Sequence, residues 1–210
     1  MGLTPILGVT ALLALVPLSS ASAISKCPLI TDQQGDASAP PAVSSGANFL
    51  FKDEPAYDIV SADIASDRKV INMVIRVEKL ANKAAGSPLG IEWRFDFTAG
   101  QNTLFAEVVS DSNDWGQKQG VSAYIGYVDG TSHYIKPTRA YLDMRHNEIR
   151  IRVPVGDYGT YAPSIGTRLT NLIASAGRWY DVPGFTYSET VDWARTDNTY
   201  ILGRKTCIKA

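Results

Sequence analysis

The sequence has few of the side chains that most often perform catalysis. It contains only two histidines, His133 and His146, and their spacing matches no common zinc motif. No serine lies in a Gly-x-Ser-x-Gly motif, and the two cysteines lie near opposite ends of the chain. These absences disfavour nucleophilic and zinc-dependent catalysis, so we expect a protein that is not an enzyme. A hydrolase that uses two carboxylates stays open as an alternative.

Charge and hydropathy also lack a strong bias. The formal net charge is -1, which gives no electrostatic reason to expect a nucleic acid as partner. After residue 23 no apolar run approaches the roughly 18 residues of a membrane-spanning helix. We therefore expect neither nucleic-acid binding nor a membrane span. The sequence does not indicate the oligomeric state.

The first 23 residues have the features of a secretory signal peptide. They carry no charged side chain and finish with the small-residue sequence Ala-Ser-Ala. In an oxidising compartment we expect Cys27 and Cys207 to form a disulfide that joins the two ends of the domain, with two free thiols as the alternative. Residues 24–48 are rich in proline, serine and alanine and predict a lead-in arm to a single domain over residues 49–210.

Alternation of apolar and polar residues dominates that domain and indicates β-strands. The clearest case is residues 91–98, where Trp93, Phe95 and Phe97 share one face and are predicted to lie in the core. Residues 168–179 fit a helix or a strand, and we favour a strand. The remaining predicted strands cover 59–64, 70–77, 103–109, 121–128, 133–135, 148–155 and 200–202, with hairpin turns at 99–102 and 129–132. The only helix-like piece is 78–85, so the sequence predicts an all-β, antiparallel β-sandwich.

Acidic residues near the start of the domain suggest an ion site. Asp32 and Asp36 flank Gly35, and Asp58 and Asp63 follow at a predicted strand. Calcium takes six to eight hard oxygen ligands, often carboxylates combined with backbone carbonyls on a flexible loop. We therefore consider a structural calcium ion that Asp32 and Asp36 share with Asp58 or Asp63 and that anchors the amino-terminal arm to the sandwich. The alternative is a solvated loop in which aspartate serves as a turn residue.

Aromatic residues crowd the second half of the chain and suggest a ligand surface. Trp115 lies in a wholly polar loop, where it either folds back on the sandwich or is exposed to a ligand. Tyr124 and Tyr134 lie on the two strands of a predicted hairpin and could share a sheet face. Exposed aromatic rings stack on the apolar faces of sugars, so these three residues are candidate carbohydrate-binding residues. The alternative for each tyrosine is packing in the core or at its rim.

Several short motifs, taken in order, resemble the secreted bacterial β-sandwich modules of the DOMON-like and family 9 carbohydrate-binding-like group. The motifs are residues 32–37 (DQQGDA), 57–64 (YDIVSADI), 70–80, 93–98 (WRFDFT) and 147–154 (NEIRIRVP). The resemblance implies a jelly-roll-like sandwich that is typically non-catalytic and often holds structural calcium. It strengthens the calcium hypothesis at Asp32, Asp36, Asp58 and Asp63.

Another branch of DOMON-like domains resembles b-type cytochromes, which hold haem between a methionine and a histidine. The candidates here are Met73, Met144, His133 and His146, and Met144 and His146 would share a face if they lay on one strand. The alternative is a core methionine and a histidine at a strand end. The leading hypothesis is a secreted, non-catalytic module that binds carbohydrate or a cell surface. An envelope structural or protein-interaction module is second, and a haem-binding domain or hydrolase is third.

Overall fold

The computed structural model describes residues 29–37, 55–81, 90–111, 120–182 and 185–204, and these residues form mainly β-strands. One 3₁₀ segment, Val155–Tyr161, precedes the longest strand. The strands in chain order are β1 (Ile30–Thr31), β2 (Ile59–Ser66), β3 (Val70–Val77), β4 (Gly90–Ala99), β5 (Asn102–Asp111), β6 (Val121–Asp129), β7 (Thr131–Pro137), β8 (Arg139–Asp143), β9 (Glu148–Pro154), β10 (Arg168–Val182), β11 (Phe185–Thr196) and β12 (Tyr200–Ile201).

The strands form two antiparallel sheets that pack against each other. The five-stranded sheet has the order β1-β2-β3-β9-β8, and the seven-stranded sheet has the order β11-β10-β4-β5-β6-β7 with β12 paired to β10. Alternate residues of each sheet point inward and are fully buried, such as Met73 on β3 and Trp93, Phe95 and Phe97 on β4. The prediction of an all-β protein with two packed antiparallel sheets is therefore confirmed.

The strand prediction for residues 168–179 is also confirmed, because this segment lies within β10. The prediction of a helix-like piece fails in its described part, since residues 78–81 are bends and irregular chain. Three strands, β1, β8 and β11, were missed. The sequence of β8 shows no clear alternation, because this edge strand leaves every residue at least partly exposed.

The four candidate haem ligands occupy unrelated positions. Met73 is fully buried in the core, and His133 stacks on Tyr127 with ring centroids 4.8 Å apart. Met144 and His146 lie in the turn between β8 and β9, so they do not lie on one strand and the condition for a shared strand face is not met. His146 Nδ1 is 2.9 Å from Asp143 Oδ2, so this histidine is engaged by the neighbouring carboxylate.

Part of the predicted lead-in arm belongs to the sandwich. Residues 29–37 are described, and β1 pairs with β2 and buries Ile30 completely. The predicted signal peptide, Cys27, Cys207 and Trp115 lie outside the described residues, so the disulfide remains a prediction. No helix within the described parts of the chain is long and apolar enough to cross a membrane.

Candidate functional site

The chain after β1 turns back across the edge of the sandwich and brings two aspartates with it. The Asp32 backbone N–H donates to the Val60 carbonyl, 3.1 Å away, and continues the pairing between β1 and β2. The reversal occurs at Gly35, whose φ of 86° is a conformation that glycine adopts without steric cost. The Gly35 N–H donates to Asp58 Oδ2 at 2.8 Å. This bond fixes the loop that holds Asp32 and Asp36 against the start of β2.

Asp192 on β11 meets this loop from the other sheet. It lies opposite Ala176 in register, and Ala176 lies opposite Trp93, so the Asp192 side chain points to the inner side of the seven-stranded sheet. Its Oδ2 accepts the Ile59 N–H at 2.7 Å, and its Oδ1 accepts the Trp193 N–H at 2.7 Å. Asp192 therefore connects the two sheets at the point where the amino-terminal segment enters.

Asp32, Asp36 and Asp192 converge, and we call them the acidic cluster. One carboxylate oxygen from each lies within 4.8 Å of the others. Burial, reinforced by the charges of Asp32 and Asp36, raises the pKa of Asp192 to about 6. Burial and the Asp36 charge also raise the pKa of Asp32. No ion pair formed between described residues involves a member of the cluster, so its negative charge is not offset by a described cation.

Asp58 adds a fourth carboxylate beside the acidic cluster. Its residue surface is only 2% exposed, and its Oδ1 atom has no hydrogen-bond partner among the described residues. Burial raises the pKa of Asp58, and the charges of Glu78 and Asp36 raise it further. A buried carboxylate oxygen without a partner is costly, and a bound cation would remove that cost. The three converging carboxylates are hard oxygen donors of the kind that calcium prefers, and Asp58 lies against the loop that carries two of them.

Asp63, the alternative to Asp58 in the predicted calcium site, has other partners. Its Oδ2 lies 2.5 Å from Nη1 of Arg76, and its Oδ1 accepts the Leu29 N–H at 3.2 Å. Asp63 therefore anchors the amino-terminal segment through an ion pair and a backbone hydrogen bond. Asp192 is the member of the acidic cluster that the sequence analysis did not predict. It lies more than 150 positions from Asp32 and Asp36 in the sequence, and only the packing of β11 against β2 brings it to them.

The outward side of the seven-stranded sheet forms a second candidate site, which we call the sheet face. Tyr124 and Tyr134 both lie on it, with ring centroids 5.8 Å apart at an interplanar angle of 76°. Trp193 lies on the same face, and its residue surface is 53% exposed, compared with 51% for Tyr134. One row of directly opposed residues crosses five strands in the order Trp193, Ser175, Arg94, Glu107 and Tyr124.

Phe105 supports the aromatic end of the sheet face. Tyr134 packs edge-on against it at 5.5 Å, and the Arg94 guanidinium lies 3.8 Å from the centre of its ring. The Phe105 ring lies directly over Gly126 on β6, where a Cβ atom would be 2.4 Å from the ring. Glycine at this position leaves room for the Phe105 ring to pack against the sheet, where the ring also contacts Tyr134.

Charged groups fill the centre of the sheet face. Arg94 donates to Asp96 Oδ1 from Nε at 3.0 Å and from Nη2 at 2.8 Å, and its Nη1 lies 3.6 Å from Glu107 Oε2. Glu107 is 1% exposed, and its Oε1 accepts the Tyr134 hydroxyl proton at 3.0 Å. Burial, together with the nearby Glu92 charge, raises the pKa of Glu107 to about 8. One guanidinium thus faces the carboxyl groups of Glu92, Asp96 and Glu107.

The sequence analysis identified part of this face. It selected Tyr124 and Tyr134, and the structure brings them into contact. It assigned no role to Glu107 or Trp193, although an acidic residue inside the apolar β5 sequence was an available signal. Trp115, the third aromatic residue that is predicted to bind carbohydrate, lies outside the described residues.

Comparisons of the chain with protein-family models, with curated proteins and with solved structures gave no match. The resemblance to DOMON-like and family 9 carbohydrate-binding-like modules therefore remains a prediction that rests on short motifs.

Proposed function

We propose that this chain is a secreted, non-catalytic, jelly-roll-like module that binds carbohydrate, free or at a cell surface, on its sheet face. We further propose that calcium at the acidic cluster holds its amino-terminal segment. The observation that supports carbohydrate binding is the row across five strands, with Trp193 at one end, Tyr124 at the other and charged groups between them.

The sheet face has both features that sugar recognition needs. The rings of Tyr134 and Trp193 offer apolar surfaces for the C–H faces of sugars, and the partly exposed side chains of Arg94 and Asp96 can bind hydroxyls. Four strand spacings separate β11 from β6, which corresponds to about 19 Å. The aromatic groups at the two ends are therefore far enough apart to contact different units of one glycan chain.

Removing the exposed rings is expected to weaken glycan binding. Trp193→Ala and Tyr134→Ala should each reduce affinity by about 1 to 3 kcal/mol, the usual cost of losing a well-packed aromatic contact. The measurement is a glycan array followed by titration calorimetry with the best ligand. Tyr141→Ala is the matched control, because Tyr141 is 55% exposed but belongs to the five-stranded sheet.

Trp193→Ala is the cleaner test, since Tyr134→Ala also uncovers Phe105 and removes the bond to Glu107. Circular dichroism and a melting curve should show that Trp193→Ala retains the fold. Carbohydrate binding through the sheet face is rejected if Trp193→Ala, Tyr134→Ala and Tyr141→Ala all bind the array as the parent protein does. It is equally rejected if no glycan binds at all.

Calcium is expected to stabilise the folded protein through the acidic cluster. An ion that binds only the folded state at 100 times its Kd adds about 2.7 kcal/mol, which corresponds to roughly 5 to 10 °C in Tm for a domain of this size. The measurement compares melting curves in calcium and in a chelator. Asp36→Asn should abolish the difference, whereas Asp129→Asn, at the exposed end of β6, should leave it intact.

Proton competition provides a further check on the same site. The pKa of Asp192 is raised to about 6, so its carboxyl group becomes protonated as the pH falls through that value and loses its capacity to bind calcium. The stabilisation by calcium should therefore be large at neutral pH and shrink as the pH falls below about 6. Equal melting temperatures with and without chelator at neutral pH would reject the site.

A further inference from the structure

A polar pocket lies at one end of the sandwich, and we call it the end pocket. Its volume is about 160 Å³, and its lining includes Gln101, Asn102, Tyr127, Asp129 and Tyr161. Tyr127 lies directly opposite the fully buried Leu104, so its side chain points to the inner side of the seven-stranded sheet. The aromatic wall of the end pocket is therefore on the other side of the sheet from the sheet face.

That wall is a stack of three rings. The Tyr127 ring lies 4.8 Å from the His133 ring at 16° and 4.1 Å from the Tyr161 ring at 22°. The two neighbours cover both faces of Tyr127, so Tyr161 is an outer ring of the stack. Tyr158 anchors the 3₁₀ segment that carries Tyr161, because it is fully buried and its hydroxyl donates to the Phe105 carbonyl at 3.3 Å. A wall held in place before binding lowers the entropic cost of taking up a ligand.

Three polar side chains at the end pocket have no bonded partner among the described residues. The β5–β6 pairing ends at Thr103 and Val128, so Asn102 and Asp129 come next on the two adjacent strands, and Gln101 precedes Asn102 in the turn. None of these three side chains joins a hydrogen bond or ion pair with a described residue. A ligand can therefore bind two amides and a carboxylate without breaking a bond inside the described protein.

These groups match the chemistry of a single neutral sugar unit. Amides both donate and accept hydrogen bonds, a carboxylate accepts them from hydroxyls, and a tyrosine ring contacts the C–H surface of a sugar. The volume corresponds to about five water molecules, which gives room for one pyranose ring and not for two. Asp129 is the only charged residue in the described lining, so ligands that bear carboxylate, phosphate or sulfate groups are repelled.

We propose that the end pocket binds the terminal unit of a neutral glycan. Asp129 and Asn102 accept and donate hydrogen bonds to its hydroxyls, and Tyr161 contacts its ring. A pocket with room for one unit holds the end of a chain, whereas the open sheet face suits units within a chain. The end pocket is separate from the sheet face, so this inference does not depend on binding there.

The test is an NMR titration of the full chain with the methyl glycosides of glucose, galactose and mannose, each followed by a linear hexasaccharide that ends in the same sugar. At least one methyl glycoside should shift the backbone amide signals of residues 101–103 and 127–129 with a millimolar Kd, as expected for so small a ligand. Its hexasaccharide should shift the same signals. Asp129→Ala should weaken the binding about tenfold and Asn102→Ala about fivefold, the usual effects of losing a charged and a neutral hydrogen bond.

The control is Asp197→Ala, which removes an exposed carboxylate outside the lining of the end pocket and should leave the Kd unchanged. Melting curves show that the three variants fold. The inference is overturned if no methyl glycoside shifts these signals, or if Asp129→Ala and Asn102→Ala bind as tightly as the parent protein. Binding of a free hexose without its methyl glycoside overturns the assignment to a chain end.

Two further outcomes separate this inference from its competitors. Choline chloride serves as a cationic probe, and signal shifts with choline but with no sugar would identify a cation site and overturn the inference. If arrayed glycans bind while the end pocket gives no shifts, the end-pocket inference fails and binding on the sheet face stands. If neither the array nor the titration detects a glycan, carbohydrate binding is rejected for both sites.

Discussion

Replacing Arg178 by methionine is expected to lower the free energy of unfolding by about 3 to 5 kcal/mol, the usual cost of breaking a buried ion pair. Arg178 on β10 is 0% exposed, and its Nε and Nη2 atoms donate to Glu189 Oε2 at 2.9 and 2.6 Å. Methionine fills much of the same volume but leaves the Glu189 carboxylate, whose side chain is only 12% exposed, without this cation. Chemical denaturation with urea measures the loss.

Two further variants separate the loss of charge pairing from the loss of packing. Lys136→Met breaks the exposed pair between Lys136 and Asp157 and should cost at most about 1 kcal/mol, as surface ion pairs do. The double variant Arg178→Met, Glu189→Gln removes both charges and should recover part of the lost stability. If Arg178→Met is as stable as Lys136→Met, the buried pair has no such role.

Gly126→Ala is expected to destabilise the domain by about 1 to 3 kcal/mol, the range for overpacking. An added Cβ would lie 2.2 Å from the His133 carbonyl oxygen and 2.4 Å from Cζ of Phe105. The Phe105 ring must then move, and Tyr134, which packs against it, must move too. The same variant should therefore weaken glycan binding, and both a melting curve and a titration are needed.

Gly156→Ala is the matched control, because no atom lies within 4 Å of the Cβ that it would add. It should change the melting temperature little and leave glycan binding unchanged. Equal melting temperatures for the two alanine variants would show that the sheet accommodates a side chain at Gly126. The support that Phe105 gives to Tyr134 would then not depend on glycine.

Strand β11 contributes to both candidate sites. Asp192 and Trp193 are consecutive, so their side chains point to opposite sides of the sheet. Asp192 faces inward to the acidic cluster, and Trp193 faces outward to the sheet face. Variants at either position should therefore be examined for calcium-dependent stability and for glycan binding, because a shift of β11 affects both.

The local sequence was sufficient to predict most of the strands. Side chains alternate between the two faces of a strand, so the apolar residues of β3, β4 and β9 predict both the strand and its buried face. Trp93, Phe95 and Phe97 are buried as their alternation predicts. The edge strand β8 was missed because it lies largely outside the core and its side chains need not alternate.

The sequence by itself determined that the chain forms antiparallel β-structure, and it identified Asp32, Asp36, Tyr124 and Tyr134 as candidates, because these features depend on neighbouring residues. Only the tertiary structure decided the partners of those residues. It brought Asp192 to Asp32 and Asp36, paired Asp63 with Arg76, and aligned Trp193 with Tyr124 across five strands. The physical reason is that strand order and sheet packing join residues distant in the chain, and no local pattern encodes that order.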